Sequence, residues 1–169
     1  AIALHAANTG HLVFSTLHTL DAKETIDRIV GMFGKEEQNR IRMSLASVLE
    51  GVVSQRLIPT KDGKRIPGVE ILKKTARIEQ LIAEHRDAEI VDALFDGKEI
   101  YGTQTFDQSL LDLLRSDKIT EKTALEYATS PADMKLKIQG VGKGAIVDEH
   151  ASEQKVDIFE FKEDEEEEE

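Results

Sequence analysis

The chain has 169 residues with 5% aromatics, no Trp and no Cys. This is the length of one domain with or without an appendage, with a helical lean and no means for a disulfide framework, a thiolate metal site or a Cys nucleophile. Seven of its net −11 charges sit in the all-acidic residues 163–169, which leaves −4 and no basic stripe for direct nucleic-acid binding. No apolar run nears the ~18 residues of a membrane span and no basic-then-apolar leader is present, so the expectation is a soluble, cytoplasmic protein.

Residues 1–7 read as an apolar helix without an N-cap, which suggests a piece of a longer chain. Gly10 is its left-handed stop. Residues 11–16 are a short apolar run behind a glycine and read as a buried strand. Asp21 with Glu24 makes a capping pair for a helix carrying Ile26, Ile29, Val30 and Phe33. A longer helix is expected over residues 35–57, with Ile41, Leu45, Val48, Leu49, Val52 and Val53 on one stripe. Pro59 ends it, and residues 60–65 turn at Gly63. Residues 69–72 form a short strand.

Beyond this the pattern is helical. Ile78, Leu81 and Ile82 mark one helix, and Ile90, Val91, Leu94 and Phe95 another. Thr105 and Gln108 form a capping box ahead of Leu110, Leu111, Leu113 and Leu114. Thr120 caps a short helix, and Ser130 with Pro131 begins the last. Three segments follow from this: residues 1–70 with strands and long helices, 71–140 as a helical module, and 141–169 as an acidic, disordered tail. Val156, Ile158, Phe159 and Phe161 hint at a strand within that tail.

Candidate chemistry gathers at the end of the first expected strand, where open α/β sheets hold their ligands. Thr16 and His18 share parity in an extended chain, and both can donate to a phosphate oxygen. His11 has the opposite parity. A structural alternative leaves His18 as a cap on a neighbouring loop. A phosphate-binding loop is absent from the sequence. Four Gly-Lys pairs occur, at Gly34, Gly63, Gly97 and Gly142, but none has a glycine five residues earlier or a Ser or Thr after the lysine. No metal-ligand spacing is present. Arg28, Arg40 and Arg42 read as solvated or salt-bridging. On pattern alone Ile78, Leu81 and Ile82 read as core, with an interface as the alternative.

The motifs resemble a known family. TGHLVFSTLHT (residues 9–19), followed by AKETIDR (22–28), looks like the histidine box of secretion-superfamily ATPases. RMSLASVLEGVVSQRLI (42–58) resembles the segment that follows it there. EIL (70–72), TARIEQLI (75–82), QTFDQSL (104–110) and the segment 119–128 resemble the type IV pilus retraction branch. The resemblance covers roughly residues 1–140. It implies an α/β fold, namely the C-terminal half of a RecA-like P-loop ATPase core followed by a small helical domain. It also implies a homo-hexamer that binds ATP and Mg and drives pilus retraction, peripheral to the inner membrane and in contact with a platform protein of the pilus machinery.

In that family the phosphate loop and acidic boxes precede the histidine box, so the chain reads as a C-terminal part. The resemblance makes His18 catalytic, with Thr16, His18 and Thr19 sensing nucleotide and His11 structural. It makes Ile78, Glu79, Leu81 and Ile82 the stretch that acts in retraction. Glu79 stands where the family has Arg, and Ala76 where it has Pro. The absence of a tetracysteine motif favours retraction over secretion. The alternatives are a non-catalytic assembly or regulatory module and a pilus-assembly or type II secretion ATPase.

Overall fold

A computed structural model describes residues 2–142. Helix α1 spans Ile2–Asn8, and Gly10 behind it adopts a left-handed φ of 87°. Residues 11–19 then run without helix or strand, which corrects the strand expected over residues 11–16. A strand exists through ladder hydrogen bonds to a neighbour. Among the described residues only β1 (Gly51–Pro59) and β2 (Arg65–Lys73) are strands, and they pair with each other. The segment is not buried either: Phe14 is 88% exposed and Leu12 80%.

Helix α2 spans Ala22–Gly31 and begins as expected, with the Asp21 carboxylate accepting the Glu24 N–H. The Glu24 carboxylate reaches back to accept the Leu20 N–H at 2.8 Å. Helix α3 spans only Lys35–Val48, so the helix expected over residues 35–57 is two elements. Leu49 turns extended, and from Gly51 the burial alternates with period two. Ser54 and Ile58 are buried, Val52 and Arg56 are half-buried, and Val53 and Leu57 are exposed. Leu49, Val52 and Val53 fit a helical stripe and a strand equally well. The flanking glycine and the β-branched valines decide for the strand.

The two strands are antiparallel, in register from Gly51 opposite Lys73 to Pro59 opposite Arg65. Their turn closes with Thr60 N–H donating to Lys64 O at 2.9 Å, and Gly63 takes a φ of 78°. Gln104 extends the free edge of β2 through reciprocal backbone bonds with Ile71.

Helix α4 covers Ala76–Ala83 under a Thr75 cap. A 3₁₀ turn at Asp87–Glu89 leads into α5 (Ile90–Asp96) and the single turn α6 (Lys98–Tyr101). Helix α7 (Phe106–Arg115) carries the full Thr105/Gln108 capping box. Thr120 caps α8 (Glu121–Tyr127), and Ser130 caps α9 (Pro131–Ile138) with Pro131 in its first turn. The acidic tail and its strand hint at residues 156–161 lie outside the described residues.

Two apolar clusters flank the hairpin. One joins Ile26 and Val30 of α2, Leu45 of α3 and Leu72 of β2 with Ile78, Leu81, Ile82, Ile90 and Leu94. The other gathers Ile58 of β1 with Phe106, Leu110, Ile119, Ala124 and Met134. Each draws on residues before and after 70, so the cores do not separate at that position. The hairpin's inner face is apolar at its ends, where Leu72 opposes Val52 and Ile66 opposes Ile58. Its centre is polar, with Glu70 opposite Ser54 and Arg56 opposite Gly68.

Beside the first cluster lies a buried ion pair. Arg42 of α3 grips both oxygens of Asp87 at 2.8 and 2.7 Å and donates to Ile82 O at 3.3 Å. The salt-bridging reading of the arginines holds here. Arg40 pairs with Glu37 and Arg28 with Glu24 on the surface.

Candidate functional site

The histidine-box segment is held at both ends and exposed between them. Upstream, Asn8 donates to the Ser44 hydroxyl of α3 at 2.7 Å, and the Thr9 hydroxyl bonds the His11 Nδ1 at 3.0 Å. His11 is exposed, so its part is this local bond rather than core packing. Downstream, the Thr19 and Thr25 hydroxyls bond at 2.7 Å, and Thr25 in turn donates to Asp21 O. Thr19 is therefore engaged in fixing the loop onto α2. Thr16 and His18 lie exposed just ahead of it. An imidazole and a hydroxyl of this kind present N–H and O–H donors to an anionic ligand.

What holds the exit of this loop is the polar centre of the hairpin. The Ala22 N–H, a donor in the first turn of α2 with no partner in its own helix, donates to the Glu70 carboxylate at 2.8 Å. Arg56 donates from Nε to Leu20 O at 3.3 Å and sits 4.0 Å from the Asp21 carboxylate. Its guanidinium covers the Phe106 ring with 4.1 Å to the centroid, a cation–π contact. Burial raises the Glu70 pKa above the ordinary glutamate value; the Ala22 amide opposes that, Asp21 adds to it, and Arg56 and the Phe106 amide oppose it. A cleft of about 190 Å³ separates these groups from Ile90, Val91 and Leu94.

The stretch expected to act in retraction is placed differently. Ile78, Leu81 and Ile82 are buried in the first cluster. Glu79 alone among the four is partly exposed, 4.0 Å from the Lys74 ammonium. The structure thus brings Thr16, His18 and Thr19 together on one loop and takes the three apolar residues into the core.

Sequence reasoning did not single out Arg56 or Glu70. Their signal is parity: once β1 and β2 are recognised, both share the inward face with Val52, Ile58, Ile66 and Leu72. Among the described residues no cluster of three or more His, Asp or Glu could hold a metal ion. No helix there is long and apolar enough to cross a membrane.

Known proteins resemble this chain in sequence and fold. The family described as type II/IV secretion system protein matches residues 1–153. The type IV pilus retraction ATPase PilT of Pseudomonas aeruginosa is 42% identical over 130 residues, which is 77% of this chain and 38% of that protein. The twitching motility protein of Neisseria gonorrhoeae is 41% identical over 134 residues, covering 79% of this chain and 36% of its own length. The crystal structure of the pilus retraction motor PilT with bound ADP superposes with a TM-score of 0.69 at 36% identity, over 79% of this chain and 37% of that one. The chain thus spans under two fifths of the length of these relatives. It shares their ATPase fold, and it belongs to the type II/IV secretion system protein family, among the relatives of the pilus retraction ATPases.

Proposed function

We propose that this chain supplies the histidine box and C-terminal helical portion of a longer, hexameric ATPase motor that drives type IV pilus retraction from the cytoplasmic side of the inner membrane. The observation that carries this reading is the exposed Thr16 and His18 on an anchored loop, in a chain similar to a retraction motor solved with ADP.

The donor set fits a phosphate. His18 and Thr16 offer hydrogens to phosphate oxygens, whereas Mg²⁺ takes carboxylate and water oxygens, so neither residue would be a ligand of the metal. ATP would supply the phosphoryl group, with its Mg²⁺ held by groups outside the described residues. Hydrolysis builds charge on that phosphate, and a donor aimed there favours the transition state over the ground state. His18 is the catalytic donor in this reading, Thr16 assists it, and Thr19 holds the loop. Glu79, at the surface of α4, is the residue of its stretch that we assign to contact with the platform protein.

The test is His18→Ala in the full-length protein. Losing one such donor costs on the order of 3 kcal/mol, or 10²–10³ in rate. We expect ATP affinity within a few-fold of wild type, hydrolysis slower by at least about 10-fold, and cells that carry pili but do not twitch. Unchanged hydrolysis, or a loss of ATP binding equal to that in His11→Ala, would overturn the assignment.

A further inference from the structure

Glu70 and Arg56, at the centre of the hairpin, face the same two places: the exit of the histidine-box loop and the start of α7. Glu70 accepts the N–H of Ala22, the first residue of α2, and its ionised form is also favoured by the amide of Phe106, the first residue of α7. Arg56 donates to the carbonyl of Leu20, faces the Asp21 carboxylate and covers the Phe106 ring. At the free edge of β2, the Val69 N–H donates to the Ser109 hydroxyl of α7 at 3.1 Å. The loop exit and α7 therefore share one rigid support.

Glu70 is buried. It lines the cleft at only 7% exposure, so losing its hydrogen bond to Ala22 leaves a largely buried carboxylate short of a donor. Arg56 is planar and touches the loop with its edge and the ring with its face, a combination that lysine cannot reproduce.

We propose that Glu70 and Arg56 are positioning residues that lock the exit of the histidine-box loop to the start of α7, so that a displacement of either is passed to the other. The functional part of this proposal rests on the ATPase reading above. Coupling of this kind travels through contiguous hydrogen bonds and packed groups. Neither residue belongs to the box, so both act on hydrolysis through the placement of Thr16 and His18.

The experiment uses the full-length protein as wild type, Glu70→Ala, which removes the acceptor for the Ala22 N–H, and Arg56→Lys. Hydrogen exchange read by mass spectrometry compares peptides covering residues 16–25 and 104–110 with a reference peptide over α8. In each variant we expect both peptides to exchange about 10-fold faster or more while α8 is unchanged. We expect turnover to fall about 5-fold or more, with the KM for ATP within about twofold of wild type. Acceleration of one peptide alone, of neither, or of all three alike would overturn the lock. Turnover unchanged in spite of loosened peptides would overturn the positioning role. A wild type without ATPase activity would sink the proposed function, and the exchange data would still decide the lock.

Discussion

Residues 11–19 and strand β2 are both nine-residue stretches outside the helices and rich in apolar side chains, yet they end up in opposite conditions. In β2, Leu72 is 1% exposed and every residue has a Cα partner in β1. In the box segment Phe14 is 88% exposed and no ladder forms among the described residues. The difference lies outside the segments themselves. β2 has a complementary strand five residues away across a turn, and loop closure over so short a distance costs little. Among the described residues the box has no such neighbour, and side-chain anchors hold its two ends.

The comparison can be broken most forcefully at the well-packed side. Asp87→Ala would leave the buried Arg42 guanidinium with the Ile82 carbonyl at 3.3 Å and the half-exposed Asp27 carboxylate at 3.4 Å, and removing the close partner of such a pair costs about 3–5 kcal/mol. Urea unfolding should show that loss. A loss under about 1 kcal/mol would mean that water reaches Arg42 and the pair is not the anchor it looks like.

The matched pair Leu72→Ala and Phe14→Ala tests the contrast directly. Deleting the Leu72 side chain should cost about 2–5 kcal/mol, whereas Phe14→Ala should stay within about 0.5 kcal/mol. Equal costs in the same unfolding assay would show that the box segment is covered in solution.

The smallest effect is a pH dependence at Glu70. Its pKa is raised by burial, so the folded state holds the proton at higher pH than the unfolded state does. The stability it contributes is fully present below the unfolded glutamate value and is lost as pH rises through the folded one. Thermal melts from pH 4 to 8 should show wild type losing ground to Glu70→Gln as pH increases. The opposite slope would mean that Arg56 outweighs the burial.

Local features of the fold were legible in the sequence. Asp21, Thr105 with Gln108, Thr120 and Ser130 all cap the helices that follow them, because capping is decided within one turn of chain. The end of α3 was not legible, because Leu49, Val52 and Val53 satisfy both periodicities. The strand at residues 11–16 failed for a non-local reason, since pairing depends on what lies alongside. In the candidate site, Thr16 and His18 could be picked out as neighbouring donors. Arg56 and Glu70 could not, because only the register of a hairpin brings them to the exit of a loop more than 30 residues upstream.

One atom that Gly68 lacks has a long reach. A Cβ at this position would lie 2.8 Å from Cε2 of Phe106, and Arg56 stands directly across the ladder from Gly68. The ring is lodged between a bare stretch of backbone and a guanidinium plane. Even a methyl group here would shift the ring, unseat the guanidinium and loosen its grip on the Leu20 carbonyl. Tolerance to substitution at residue 68 is thus set by Phe106 and Ile58, its consequence reaches a loop 48 positions earlier in the chain, and the emptiest position of the hairpin becomes one of its least replaceable.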